Sequence, residues 1–283
     1  MIHTADRLQQ VQEYYFSSKL REVRKLKDAG YPIINMGIGS PDLTPSGEVL
    51  QTLKESLEAP GAHQYQSYQG LPELRQTIAG FYRQKFGVTL DSQTEVLPLM
   101  GSKEGIMHIS MAFLNPGDRV LIPDPGYPTY GSVTRLVGAE AVPYTLTEDA
   151  GWFPDLGALE AGGLEGVKLM WVSYPHMPTG ATASREQLAG LVAFAKKHNI
   201  LLVNDNPYSF VLARDPISIL GIPGGEGYVL ELNSLSKTFN LAGWRVGMLL
   251  GAAPLLQAVL KVKSNMDSGM FYGIQKGAVA ALQ

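Results

Sequence analysis

Hydrophobic positions along the chain follow two rhythms. Between Asp6 and Ala29 the apolar residues Leu8, Val11, Tyr15, Leu20, Val23 and Leu26 fall at helical intervals, and Gly30 follows as a natural stop. This spacing predicts one N-terminal amphipathic helix. A short apolar run at 33–36 leads into a loop of Gly37, Ile38, Gly39, Ser40, Pro41 and Asp42. Further on, compact apolar runs alternate with helical stretches. Residues 95–100, 119–122, 141–145, 168–172 and 201–204 read as strands, and 104–114, 130–137 and 185–198 as helices. Two more apolar runs, 228–232 and 245–250, flank a polar segment that contains a lysine.

Such alternation predicts an α/β fold, mostly parallel strands with crossover helices covering both sheet faces. In such sheets ligands bind beyond the carboxyl ends of the strands. At 283 residues and 45% hydrophobic content the chain can bury one large domain, or one and a fraction. Its formal net charge of -3 gives no electrostatic reason to expect nucleic acid or an anionic membrane as partner. No stretch reaches the roughly 18 apolar residues of a membrane span, and no basic segment followed by an apolar one opens the sequence. A cytoplasmic protein is the expectation. Zero cysteines exclude disulfides, thiolate catalysis and cysteine-ligated metal, and no metal site is expected.

The strand ends carry the candidate chemistry. Strand 95–100 runs into Gly101, Ser102 and Lys103 at the start of a helix, where free N–H groups and the helix dipole favour an anion. Glycine and serine are also ordinary helix-start residues. Strand 119–122 leads to Pro123, Pro125 and Pro128, a stiff loop that projects Tyr127, a flat ring able to stack or to fill a core. Asp205 follows the strand Leu201, Leu202, Val203 and Asn204, where a charge needs a partner, unless it only caps a turn. The last run ends in Ser234 and Lys237, and Arg245 opens the next. A lysine is a nucleophile toward aldehydes only when neutral, which burial or a nearby cation favours. Pyridoxal phosphate chemistry needs such an amine.

The segment from Ser234 through Lys237 to Arg245 and Gly247 resembles the cofactor-lysine signature of the class I/II aminotransferases, the fold-type I pyridoxal phosphate enzymes. The likeness spans roughly residues 30–283 and is nearest in feel to the diaminopimelate/aspartate-type branch. It implies that Lys237 forms the Schiff base and moves the proton at the substrate Cα. It implies that Ser234, Arg245 and the turn of Gly101, Ser102 and Lys103 hold the cofactor phosphate, that Tyr127 stacks on the ring, that Asp205 pairs with the pyridine nitrogen and that Tyr208 reaches the ring hydroxyl. The stretch from Tyr65 to Arg75 resembles the segment whose first tyrosine reaches the phosphate of the neighbouring subunit, which implies a homodimer with shared sites. Gly39 matches the glycine whose N–H meets the substrate carboxylate. The implied function is transfer of an amino group between an amino acid and a 2-oxo acid.

The family pattern is broken in two places. Where it has an asparagine that bonds the ring oxygen, this chain has Met177, beside His176; a thioether is at best a feeble acceptor and cannot donate. The family also continues into a smaller C-terminal domain bearing the arginine that clamps the substrate carboxylate. Residues 275–283 look like an unfinished helix, so a fragment lacking most of that domain is expected, and neither Arg135 nor Arg214 can be assigned the clamp. The expected division is 1–45, an N-terminal helix and substrate-side loop belonging to the small domain or dimer arm, and 46–283, the large cofactor domain. Two alternatives stay open: another fold-type I reaction such as β-elimination or a synthase, and a form that binds the cofactor without turnover.

Overall fold

The apolar runs become seven strands of one sheet: β1 (Val96–Leu99), β2 (Arg119–Asp124), β3 (Glu140–Thr145), β4 (Val167–Val172), β5 (Leu201–Asp205), β6 (Val229–Ser234) and β7 (Gly247–Gly251), in the order β1-β7-β6-β5-β4-β2-β3. The computed structural model describes residues 2–37, 39–213 and 215–283, so Ile38 of the predicted loop and Arg214 lie outside the described residues. The helices are α1 (Tyr15–Asp28), α2 (Gly47–Ser56), α3 (Pro72–Phe86), α4 (Ser102–Phe113), α5 (Pro128–Leu136), α6 (Leu156–Ala161), α7 (Arg185–His198), α8 (Ser209–Leu212), α9 (Leu235–Thr238), α10 (Ala253–Lys263) and α11 (Tyr272–Leu282).

The inner strands are mostly apolar because both sheet faces are covered there. Leu169 and Trp171 of β4 pack toward α4, α5 and α10 with Ile106, Ile109, Val133 and Val259. Their neighbours Met170 and Val172 pack on the other face against Leu188, Leu191 and Val192 of α7. At the β1 side of the sheet, Val96, Met248 and Leu250 meet Leu74, Ile78 and Tyr82 of α3 and Ala278 and Val279 of α11. Complete burial of one such Leu, Ile or Val side chain contributes about 1.5–3 kcal/mol.

One expectation needs correction. The stretch 6–29 is not one helix: a 3-10 turn, Asp6–Gln10, is separated from α1 by extended residues. The periodic apolar residues there find no core, and no described residue before Val49 is buried, so packing does not enforce continuity. The sheet is mostly parallel, as expected, and the run 245–250 yields β7, which is antiparallel to both β1 and β6. The link from β6 to β7 stays at the end of the sheet, folding as α9 and a 3-10 turn, so the chain returns without crossing over.

That reversal builds the site. Ser234 at the end of β6 pairs with Gly247 at the start of β7, and Gly247 also pairs with Leu99 at the end of β1. Asp205, the last residue of β5, pairs with Leu232. The turn after β1, the lysine segment after β6, Arg245 before β7 and Asp205 therefore share one end of the sheet.

Candidate active site

Gly101 precedes α4 with φ of 87°, a left-handed conformation that disfavours side chains. A Cβ there would also collide with the Arg245 guanidinium, so the residue is glycine for both backbone and space. The turn brings the N-terminus of α4, whose first N–H groups have no intrahelical partner, next to a fixed positive charge. Arg245 itself has φ of 57°, an uncommon value for a non-glycine residue with a cost of order 1 kcal/mol. Its Nη1 donates to the Ala242 carbonyl at 2.9 Å and to Ser236 Oγ at 3.3 Å. Ser234 Oγ lies 2.8 Å from Ser236 Oγ and accepts from the Ser236 amide at 3.1 Å. Two hydroxyls, a guanidinium and a helix start thus converge on a place suited to a phosphate.

Asp205 is buried at the end of β5. Tyr130 donates its hydroxyl to Asp205 Oδ2 at 2.9 Å, while Oδ1 has no hydrogen-bond partner among the described residues. Burial pushes the Asp205 carboxyl up to about 6, and the Tyr130 hydrogen bond opposes that rise. Tyr130 is held from behind by Trp171, ring centroids 5.0 Å apart and stacked, a pairing that contributes about 0.5–1.5 kcal/mol beyond area burial. Tyr127 meets the edge of Tyr130 at 5.6 Å and 85°. Burial raises the Tyr127 and Tyr208 hydroxyls above their ordinary range, so both remain donors at neutral pH.

The Lys237 amine stands between these groups. It donates to the Gly39 carbonyl and lies 5.9 Å from the centroid of the Tyr208 ring. Burial lowers its pKa first, and the Arg245 charge lowers it further. Both causes favour the neutral, nucleophilic amine.

Of the sequence candidates, Gly39, Gly101, Ser102, Tyr127, Asp205, Tyr208, Ser234, Lys237 and Arg245 gather at this end of the sheet. Lys103 contributes the α4 N-terminus, but its side chain is exposed and its ammonium sits 4.0 Å from the ring centroid of Tyr14. Tyr65 is 91% exposed and does not line the site of its own chain. Sequence reasoning passed over Ser236, although it adjoins the lysine in the same motif. Nor was Tyr130, the first residue of the predicted helix 130–137, named for the site, although it both packs and bonds Asp205; a tyrosine after a proline-rich turn carries no mark of an acceptor that sits far along the chain. Met177 is half-buried, and His176 is buried with Nδ1 2.8 Å from Thr179 Oγ1.

The donor set fits one group. The partnerless Asp205 oxygen suits a protonated ring nitrogen, Tyr127 offers a ring face, Lys237 an amine, and the Gly101–Arg245 corner a phosphate. A pyridoxal phosphate enzyme of the α/β type is what this end of the sheet defines. Residues 31–283 match the family model for aminotransferase class I and II. The chain belongs to the class I and II aminotransferases, which depend on pyridoxal phosphate, and it lies toward their diaminopimelate-type branch. It is 41% identical over 282 residues to LL-diaminopimelate aminotransferase of Nitratidesulfovibrio vulgaris, covering 99% of this chain and 72% of the relative. The Aquifex aeolicus enzyme of the same name is 38% identical, covering 100% of this chain and 73% of the relative. Among solved structures, substrate-bound BacF from Bacillus subtilis superposes with a TM-score of 0.95 at 37% identity, over 100% of this chain and 72% of that one. Aspartate aminotransferase from Thermus thermophilus with maleate gives 0.93 at 25% identity, over 100% and 73%.

Proposed function

We propose that this aminotransferase works through Lys237, with Asp205, Tyr127, Tyr208, Ser234, Arg245 and the Gly101, Ser102 and Lys103 turn holding the cofactor. Bound pyridoxal phosphate supplies an aldehyde for amines and a ring that withdraws electrons from the substrate Cα. Lys237 Nζ would hold that aldehyde carbon as an imine, with loss of water, and once released would move the proton at the substrate Cα. Asp205 keeps its charge against the ring nitrogen and so keeps that nitrogen protonated. Arg245, the serine hydroxyls and the α4 N–H groups neutralise the phosphate. Gly39, next to the lysine, offers its N–H to the substrate carboxylate.

One observation carries this function: Asp205 is buried at a strand end with one oxygen satisfied by Tyr130 and the other, Oδ1, unpartnered. A buried carboxylate is costly without an opposite charge, and the cofactor nitrogen supplies one. The same reading takes the chain as a cytoplasmic homodimer in which Tyr65 reaches the partner's phosphate, supported by its exposure. It also divides the chain at 1–45 and 46–283, supported by the lack of any buried side chain among described residues before Val49.

LL-diaminopimelate, named by the relatives, is the first amino donor to try. The test is to load purified protein with pyridoxal phosphate, add single amino acids and follow both the cofactor absorbance and the 2-oxo acid formed. Conversion to the pyridoxamine form with stoichiometric 2-oxo acid is expected. Release of ammonia, or no change with any amino acid, would overturn the proposal.

A further inference from the structure

Behind the phosphate corner lies a buried ionic cluster with no part in the chemistry above. Lys263, at the end of α10, is 1% exposed, and its ammonium is 2.5 Å from Asp267 Oδ2 and 3.9 Å from Glu104 Oε1. His108, also buried, places Nε2 3.0 Å from the same Glu104 oxygen. The second oxygen, Glu104 Oε2, accepts from the backbone N–H of Met100 at 2.5 Å. Ligand atoms of Glu104, His108 and Asp267 lie within 4.8 Å of one another, but the Lys263 ammonium is already the cation that balances both carboxylates.

Met100 opens the turn that continues through Gly101 into α4. Glu104 thus reaches back from the first helical turn and pins its entry, using both oxygens at once. The other end of the cluster is equally committed: Asp267 Oδ1 accepts from the Gly269 amide at 2.7 Å. Gly269 has φ of 84°, and a Cβ on it would lie 2.5 Å from the Gln66 carbonyl oxygen, so this loop packs directly on the backbone that carries Tyr65.

We propose that Lys263, Asp267 and His108 are positioning residues for the phosphate cradle: through Glu104 they fix the turn from Met100 to Lys103, and through Gly269 they tie it to the Tyr65 segment. This rests on that turn holding the cofactor phosphate. A buried ion cluster resists small displacements because each charge would lose a partner it cannot replace with water. The cradle's N–H groups are therefore set before an anion arrives, which raises affinity by removing the cost of ordering them.

The test compares two ligands that differ only in the phosphate. Cofactor-free wild type, the isosteric Asp267→Asn and Lys263→Met are titrated with pyridoxal phosphate and with pyridoxal, using tryptophan fluorescence. Each variant is expected to bind pyridoxal phosphate about tenfold more weakly while its affinity for pyridoxal stays within about twofold. Equal weakening of both ligands, or unchanged binding of both, would overturn the inference. If Lys263→Met does not fold, Asp267→Asn decides. A wild type that does not prefer pyridoxal phosphate over pyridoxal would instead sink the cradle assignment, and this inference with it.

Discussion

Tyr130 and Asp205 form a buried hydrogen bond across the floor of the site, 2.9 Å from hydroxyl to Oδ2, and Oδ1 is left without a hydrogen-bond partner among the described residues. The carboxylate is therefore oriented but only half satisfied. Burial raises its pKa and the tyrosine restrains the rise, so removing either residue changes the site in opposite ways.

Asp205→Asn should stabilise cofactor-free protein at neutral pH while abolishing tight cofactor binding. A carboxyl raised from 3.8 to about 6 keeps its proton in the folded state after the unfolded chain has lost it. Stability thus falls as pH climbs through that window, by roughly 3 kcal/mol in all. Urea denaturation should show a more stable variant at about pH 8 and no advantage at about pH 4. A variant less stable than wild type at the higher pH would refute the account.

Tyr130→Phe keeps the stack on Trp171 and removes only the hydroxyl. Asp205 should then titrate above its present value of about 6. Affinity for pyridoxal phosphate should drop about tenfold, the scale of a hydrogen bond to a charged group, with a larger loss at about pH 6 than at about pH 8. Titrations at both pH values check this; a loss independent of pH would assign Tyr130 to packing alone.

Lys237→Ala should retain the cofactor through its phosphate and ring contacts but not covalently. Mass spectrometry after borohydride treatment should find the adduct in wild type and none in the variant. Turnover should fall by at least about 10²-fold, the lower end for loss of a general acid or base. Covalent fixation persisting in the variant would point to a different lysine.

Met177→Asn supplies a donor where the chain has a thioether. Stabilisation of the ring oxygen as an anion should shift the spectral midpoint of the cofactor-loaded protein to lower pH. An unmoved midpoint would mean that Met177 does not face that oxygen.

Much of this arrangement was legible in the sequence, and the rest was hidden for identifiable reasons. Helix α7 was bounded correctly because Ser184 and Gln187 form a capping box and Asn199 closes the helix in the left-handed region. Lys237, Asp205 and Tyr127 stood out because polar residues at the ends of apolar strands need a purpose. The reversed direction of β7 was not legible, since an apolar run carries no sign of its direction. Nor were the partners of Tyr130 or Lys263: hydrophobic periodicity marks which face is buried, whereas a buried hydrogen bond joins residues whose separation in sequence follows no period. Helices α2 and α3 lay outside the predicted elements, although Pro72 begins α3 in the position a helix start favours.

The uneven burial of the chain grades its resistance to opening. Residues before Val49 bury no described side chain, yet they supply the Gly39 carbonyl to Lys237 and the Tyr14 ring to Lys103. Such a segment detaches at a small fraction of the free energy that unfolds the sheet. A protease would thus clip the arm long before it reaches the core, and amide exchange would report the lysine's cover and the lysine's scaffold as two separate clocks.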